Sequence, residues 1–543
     1  QPKSQMYRTE VLLDRLWVIG LLIAALTLYL ANLGGLPLRD WDEGIVAQVA
    51  REIAQAPEGS LRWLYPTLAG EAYINKPPLV HILIAGAYSI WGINEWTTRL
   101  PGAILTALSV PLLYGIGREI FPRRLWAIFS ALVYLTLLPV VRHGRLAMLD
   151  GVVLCFFLFT IWCLLRCRRD LRYCLGVGIG LGLIALTKGF LCLLLGTIAL
   201  AFIAWDTPRL LTSIYFWSGI FIGSLPATFW YAAQLLHPNP AYVQMFINQG
   251  IFNQSLNRIW DGVDNNSGPP WYYILEILKY NWPWLLFLPK SLNLAWENRN
   301  LSWAKLILVW GSLYLLVISI MITKLPWYVL PVYPALALLI GSQLAELWNW
   351  PTTKPFPRYW FTVLILLVIG SWVGCIYFGT FAPQPEADLV LTLAAVALTM
   401  TIAIVLMFKR DLQFIIILFW GSYIALFLLM ISDNWVWELA EQYPVKPVAQ
   451  MIQNSDVPVG QKIYTSYPHF RPSLNFYSER QVIPASDDTL QKIWQEEPSP
   501  YFLLRSSFPK KLNLEPVKII PQTQTNVIES KASWILITKD NYP

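Results

Sequence analysis

Charge is scarce in this sequence. Asp, Glu, Lys and Arg make up 13% of its 543 residues, against roughly a quarter in a soluble domain, while 56% are hydrophobic and 14% aromatic. A soluble fold of this size would have to expose far more charge. The six cysteines (Cys155, Cys163, Cys167, Cys174, Cys192, Cys375) lie in or beside apolar runs with no CxxC pair, so neither a disulfide framework nor a zinc cluster is available. The net charge of +7 is modest, and Lys and Arg sit mostly in short loops between apolar runs. That distribution marks membrane topology rather than a nucleic-acid surface, which discounts nucleic acid as a partner. No internal repeat of the kind found in many secondary transporters is present. The first apolar run follows Lys3, Arg8 and Arg15 and lacks an A-x-A cleavage pattern, which predicts a retained first helix rather than a signal peptide.

Long apolar runs are plentiful. Those at 16–33, 301–322, 359–379 and 412–431 reach or approach the ~20 residues needed to cross a bilayer. Positive clusters at 118–124, 166–172, 206–209, around Arg299, at 354–358 and at 409–410 mark one side as cytoplasmic. A threading consistent with them has helices near 11–33, 96–117, 125–141, 150–166, 172–187, 190–205, 211–235, 281–297, 301–322, 328–347, 358–380, 388–407 and 412–431, about thirteen crossings. The run 79–91 is too short to cross and is read as juxtamembrane or re-entrant. With a cytoplasmic N-terminus, loops 34–78 and 236–280, the segment before Asp150, Lys188 and the turn at Lys324 fall on the far side, in a transmembrane domain of 1–431. The polar tail, 432–543, joins them there, and its apolar patches at 462–465, 501–504 and 534–538 predict a small α/β domain.

The outer side collects the groups capable of chemistry. Asp40, Asp42 and Glu43 open a segment whose Val46, Val49, Ala50 and Ile53 fall on one helical face, an amphipathic helix lying on the membrane. An acid here can simply cap the helix, although three exceed what capping needs. Lys76, in Asn75-Lys76-Pro77-Pro78, stands where the chain re-enters the membrane, either as a snorkelling lysine or as a point charge for phosphate. Arg145 and Asp150 are ionisable residues at helix ends that need a partner, each other being the plain choice. Arg258 lies in the second loop, and Lys324 and Tyr328 lie in the later turn. Cations at one depth beside acids suit a site that binds a lipid phosphate and activates a nucleophile, and they also suit an anion pathway.

The stretches DWDEGIVAQVAREI (40–53), the YP…G…Y…KPPL pattern (65–79), RLAMLD (145–150), LTKG (186–189), GPPWYY (268–273), KLPWYVLPVYPALAL (324–338) and SLNFYSERQVI (473–483) together resemble the aminoarabinose transferase-like (ArnT-like) glycosyltransferases. With the protein O-mannosyltransferases, that family has the GT-C membrane fold. The resemblance implies an all-α polytopic GT-C domain with a small C-terminal α/β periplasmic domain in the inner membrane. It also implies an inverting transfer of sugar from a polyprenyl-phosphate donor to a lipid or glycan acceptor at the periplasmic face, amid membrane lipids. It assigns Asp42, with Glu43 beside it, and Asp150 as active-site acids. Lys76, Arg145, Arg258, Lys324 and Tyr328 become donor-phosphate ligands, the last two in the loop over the donor cavity. Asn75 and the region of Ser255 stand where the family can place zinc-binding Glu and His. That departure implies no tightly bound zinc or other cofactor and leaves room for a weakly held divalent cation. A protein O-mannosyltransferase-like enzyme and a lipid-linked anion flippase are the rival readings. Charges at helix ends rather than in mid-span favour an enzyme over the flippase.

Overall fold

The computed structural model describes residues 2–262, 266–383, 385–437, 445–455, 457–512, 514, 517–520, 527–529 and 532–539. They form two compact units, one of 1–33, 74–80 and 99–435, the other of 34–73, 81–98 and 436–543. The second unit also takes in most of the first outer loop, which the sequence assigns to the transmembrane domain.

In the first unit each of the thirteen apolar segments is helical over most of its length. Among the described residues, eight helices are long and apolar enough to span a membrane, and the pair Arg124–Leu135 and Leu138–Arg145, bent by 58°, would make a ninth. Tyr173–Lys188 and Leu191–Asp206 are shorter apolar helices of 16 residues each. The chain is therefore a multi-pass membrane protein. Pro326–Trp348 runs through the middle of the bundle, with 94% of its apolar window buried, whereas Arg358–Phe381 has 11% buried and turns most of its side chains away from the bundle.

The end that the sequence marks as cytoplasmic is held by ion pairs. Asp14 accepts from Arg118 Nε at 2.9 Å, Arg124 Nε at 3.0 Å and the Tyr114 hydroxyl at 2.6 Å. Asp206 takes Arg168 at 3.0 Å and Lys305 at 3.6 Å. Deeper in the bundle, Tyr173–Lys188 meets Ile214–Leu235 along a seam of glycines. A Cβ on Gly178 would come within 2.4 Å of the Gly219 carbonyl oxygen, and one on Gly223 within 2.3 Å of the Ile179 nitrogen. Small residues let two backbones touch where the hydrophobic effect gives no help.

The second unit is built on a mixed sheet. A short hairpin of β1 (Thr67–Leu68) and β2 (Glu71–Ala72) precedes it. The sheet itself comprises β3 (Lys462–Thr465), β4 (Gln481–Pro484), β5 (Tyr501–Arg505), β6 (Val517–Ile520), β7 (Val527–Glu529) and β8 (Ala532–Lys539), in the order β4-β3-β5-β8-β6, with β7 also on β8. β3 runs parallel to β4 and β5, and β8 is antiparallel to its neighbours. Alternation along β5 places Leu503 in one core, with Val448, Ile452, Leu474 and Trp534, and sends Phe502 and Leu504 to the other, with Leu490 and Trp494. Both faces are thus covered by helices. Leu79–Trp91, whose residues from 81 onward belong to this unit, has 13 residues, too few to cross, in keeping with a juxtamembrane reading.

Candidate active site

The three acids that open the first outer loop, all in the second unit, have three different environments. Asp40 accepts from Arg471 Nη1 at 3.0 Å and from the Ser473 amide and hydroxyl at 3.2 and 2.6 Å, leaving its side chain 7% exposed. Glu43 is fully buried, and its Oε2 accepts the Arg39 amide at 2.8 Å. A glutamate in the first turn reaching back to an amide before the helix is the logic of a capping box. The carboxylate of Glu43, expected as catalytic, is enclosed and holds the start of Trp41–Ala54. Asp42, ion-paired with Arg39 at 3.2 Å, keeps 29% of its side chain open. Of the three, its side chain is the most open.

In the first unit, Asp150 opens the helix Asp150–Cys167 and Lys188 closes Tyr173–Lys188. Each charge sits at the helix end whose dipole favours it. Gly189, with φ +61°, ends the second helix, and a Cβ there would press on the Tyr231 hydroxyl. Lys188 Nζ forms a salt bridge with Asp150 and lies 5.4 Å from the Tyr328 ring centre. Arg258 Nη1 donates to the Tyr328 hydroxyl oxygen at 2.6 Å, which leaves the phenol its own O–H to give. Gln254 Oε1 then accepts from both Arg258 Nη2 (3.0 Å) and Lys76 Nζ (3.1 Å). Lys76, Lys188 and Arg258 are thereby linked through Gln254 and Tyr328, with Asp150 as the paired acid. Burial first, then the neighbouring charges of Arg258 and Lys188, push the Lys76 ammonium down to about 7, against the pull of Asp150.

The local structure explains the convergence. The chain before Arg258 winds as a π-helix over Phe246–Leu256 and then, from Arg258 and Ile259, accepts the amides of Thr323 and Ile322 at 3.3 and 3.1 Å. The turn carrying Tyr328 is fastened in its own right, the Tyr314 hydroxyl donating to the Tyr328 carbonyl at 2.9 Å.

Two of the expected phosphate ligands do other work. Lys324 Nζ donates to the carbonyls of Ile318 (3.0 Å), Ser319 (2.7 Å) and Met321, closing the end of Ser302–Ile320, and burial holds its ammonium below the ordinary lysine range. All three of its hydrogens are committed. Arg145, wholly buried, donates from Nη1 to the Leu28 and Tyr29 carbonyls (2.8 and 3.2 Å) and from Nη2 to Met430 (3.0 Å), stacked 4.5 Å from the Trp435 ring centre. It closes two helix ends at once, and its charge meets backbone carbonyls rather than Asp150.

Lys76 and Lys188 line a pocket of about 290 Å³, counting its open mouth, whose other walls include Gln254, Phe190, Trp230, Tyr231 and Phe246. Asn75 and Ser255 line it too. They offer an amide and a hydroxyl, without imidazole or carboxylate, and among the described residues no three His, Cys, Asp or Glu converge as a metal site. This donor set does not fit zinc. Sequence reasoning passed over Gln254, because a lone glutamine in a polar loop carries no signal. It left Lys188 outside the donor set, although LTKG and its position at a helix end mark it.

A family model for dolichyl-phosphate-mannose-protein mannosyltransferase matches residues 75–231. An undecaprenyl phosphate-alpha-4-amino-4-deoxy-L-arabinose arabinosyl transferase of Pseudomonas fluorescens is 29% identical over 344 residues, 62% of this chain and 61% of its own. The corresponding protein of Pectobacterium atrosepticum is 27% identical over 361 residues, 65% of this chain and 61% of its own. The chain thus spans about three fifths of the length of the curated relatives it matches first. The crystal structure of ArnT from Cupriavidus metallidurans bound to undecaprenyl phosphate superposes with a TM-score of 0.76 at 18% identity, covering 96% of this chain and 98% of that one. Over about three fifths of its length the chain is similar in sequence to these arabinosyl transferases, and over nearly all of it the chain has the fold seen in ArnT.

Proposed function

We propose that the protein is an inverting glycosyltransferase that moves a sugar from a polyprenyl-phosphate donor to a lipid acceptor at the outer face of the inner membrane. Its N-terminus and the paired cations of Asp14 and Asp206 then lie in the cytoplasm, and the second unit lies in the periplasm. The observation that carries this reading is the convergence of Lys76 and Lys188 on one aromatic-walled pocket, with Arg258 tied to Lys76 through the pocket's Gln254 and Tyr328 able to donate a further hydrogen bond. Such an excess of fixed positive charge suits a phosphate whose negative charge grows as the sugar leaves. The names of the relatives, arabinosyl transferases acting on undecaprenyl phosphate-linked sugar, support the same donor class.

In this reading the acceptor hydroxyl attacks the anomeric carbon as the carbon–oxygen bond to phosphate breaks. We assign the acceptor's proton to Asp42 and the charge left on polyprenyl phosphate to Lys76, Lys188 and Arg258. Asp150 holds Lys188 in place through their salt bridge. No step needs a metal, and a weakly held divalent cation would be an addition to this scheme. The test is transfer of labelled sugar from a panel of polyprenyl-phosphate donors to endogenous membrane lipids and proteins. Wild type should label lipid, Asp42→Asn should abolish labelling while remaining folded, and Lys76→Gln should raise the donor KM about tenfold or more. Label appearing on protein serine or threonine would favour the mannosyltransferase reading, and lipid movement without transfer would favour the flippase.

A further inference from the structure

The residue before Asp42 has an uncommon backbone. Trp41 opens its helix at φ +37°, in the left-handed region that a bulky side chain enters at a cost. The surroundings hold it there. Asp40, one residue back, is fixed by Arg471 and Ser473, and Arg471 in turn donates to the Tyr467 hydroxyl and lies 4.3 Å from that ring's centre. Tyr467 meets His469 edge-on at 6.0 Å, and His469 meets Trp41 at 6.4 Å and 71°. Asp40, Arg471, Tyr467, His469 and Trp41 so form a closed circuit within the second unit. Trp41 nevertheless remains 45% exposed, and His469 is exposed as well. A tryptophan serving as an interfacial anchor needs neither a strained backbone nor a histidine against its edge. Strain held in place by its neighbours beside a candidate base points to a ligand.

We propose that Trp41 and His469 form the platform that selects the acceptor. The pyranose ring bearing the attacking hydroxyl lays its C–H face on the indole, whose face is electron-rich. The imidazole meets an adjacent hydroxyl, and Asp42, one residue on, takes the proton. The platform belongs to the acceptor rather than the donor, because the hydroxyl that Asp42 deprotonates is the acceptor's. This inference rests on the glycosyltransferase reading above.

Trp41→Gly separates function from structure, since glycine accepts φ +37° freely. In the full-length protein it should melt no lower than wild type while raising the acceptor KM at least about fivefold, with the donor KM within about twofold. Trp41→Tyr should keep most of the acceptor affinity, and His469→Ala should behave like Trp41→Gly. An independent readout is native mass spectrometry of the detergent-solubilised protein incubated with a total glycolipid extract of its host membrane. Wild type should retain glycolipid, with occupancy falling about fivefold in Trp41→Gly and His469→Ala. Equal occupancy in all variants, no glycolipid on wild type, or an effect confined to the donor KM would overturn the platform. Glycolipid retained by wild type without any transfer would overturn the enzyme reading instead.

Discussion

At the scale of single residues, the arrangement of Lys76 makes a pH dependence expected. Burial and the nearby Arg258 and Lys188 charges push its ammonium down to about 7, and a bound phosphate would hold the proton on. Because the folded, unliganded group sits below the ordinary lysine range, donor binding takes up a proton above about pH 7 and none well below it. The donor KM should accordingly be flat in acid and rise by about tenfold per pH unit above neutrality. Lys76→Arg, whose guanidinium stays charged, should flatten the profile. A profile that is level in wild type, or equally steep in the arginine variant, would remove Lys76 from the phosphate site. The sequence made Lys76 visible through its two prolines and its place at a membrane boundary. It could not rank the three acids of DWDE, since Asp40 is occupied by Arg471 and Ser473, which lie far along the chain. Glu43 looks the same as Asp42 until the first turn is built around the Arg39 amide.

Among the elements, the helices were legible and their terminal contacts were not. Apolar length and positive loops located the bundle, and the three apolar patches of the tail became β3, β5 and β8, the inner part of the sheet. The remaining strands lie toward the sheet's edges and carry weaker patterns. The π-helix over Phe246–Leu256, which brings Gln254 and Arg258 to bear, has no periodicity distinguishable from an α-helix in so short a run. Arg145 shows why charge near a membrane misleads: a motif shared with an active-site acid suggested a ligand, while the side chain closes two helix ends. Arg145→Ala should therefore destabilise the protein by on the order of 3 kcal/mol, orphaning buried carbonyls. Thermal melts in detergent should fall by several degrees, and the donor KM of the folded fraction should stay within about twofold of wild type. Arg145→Lys should not restore the melt, since one ammonium cannot replace the fork. A near-normal melt with a raised donor KM would return Arg145 to the phosphate site.

For the molecule as a whole, the glycine seam described for Tyr173–Lys188 and Ile214–Leu235 acts beyond its own packing. The first of these helices ends in Lys188 and the second carries Trp230 and Tyr231, so the two walls of one pocket stand on a shared seam of bare backbone. Gly178 lies about 15 Å along the helix from Lys188. A methyl group there meets the rigid carbonyl of Gly219, and the strain must be relieved by spreading the helices. Gly178→Ala should widen the pocket without touching any group that lines it, lowering selectivity between donors of different sugar size while sparing the pH profile. Competition between two labelled donors would read this directly, and unchanged preference would separate seam from pocket. Donor choice in this protein could then drift through substitutions deep in the bilayer, where neither charge nor side-chain chemistry changes and where a comparison of pocket residues alone would find two enzymes identical.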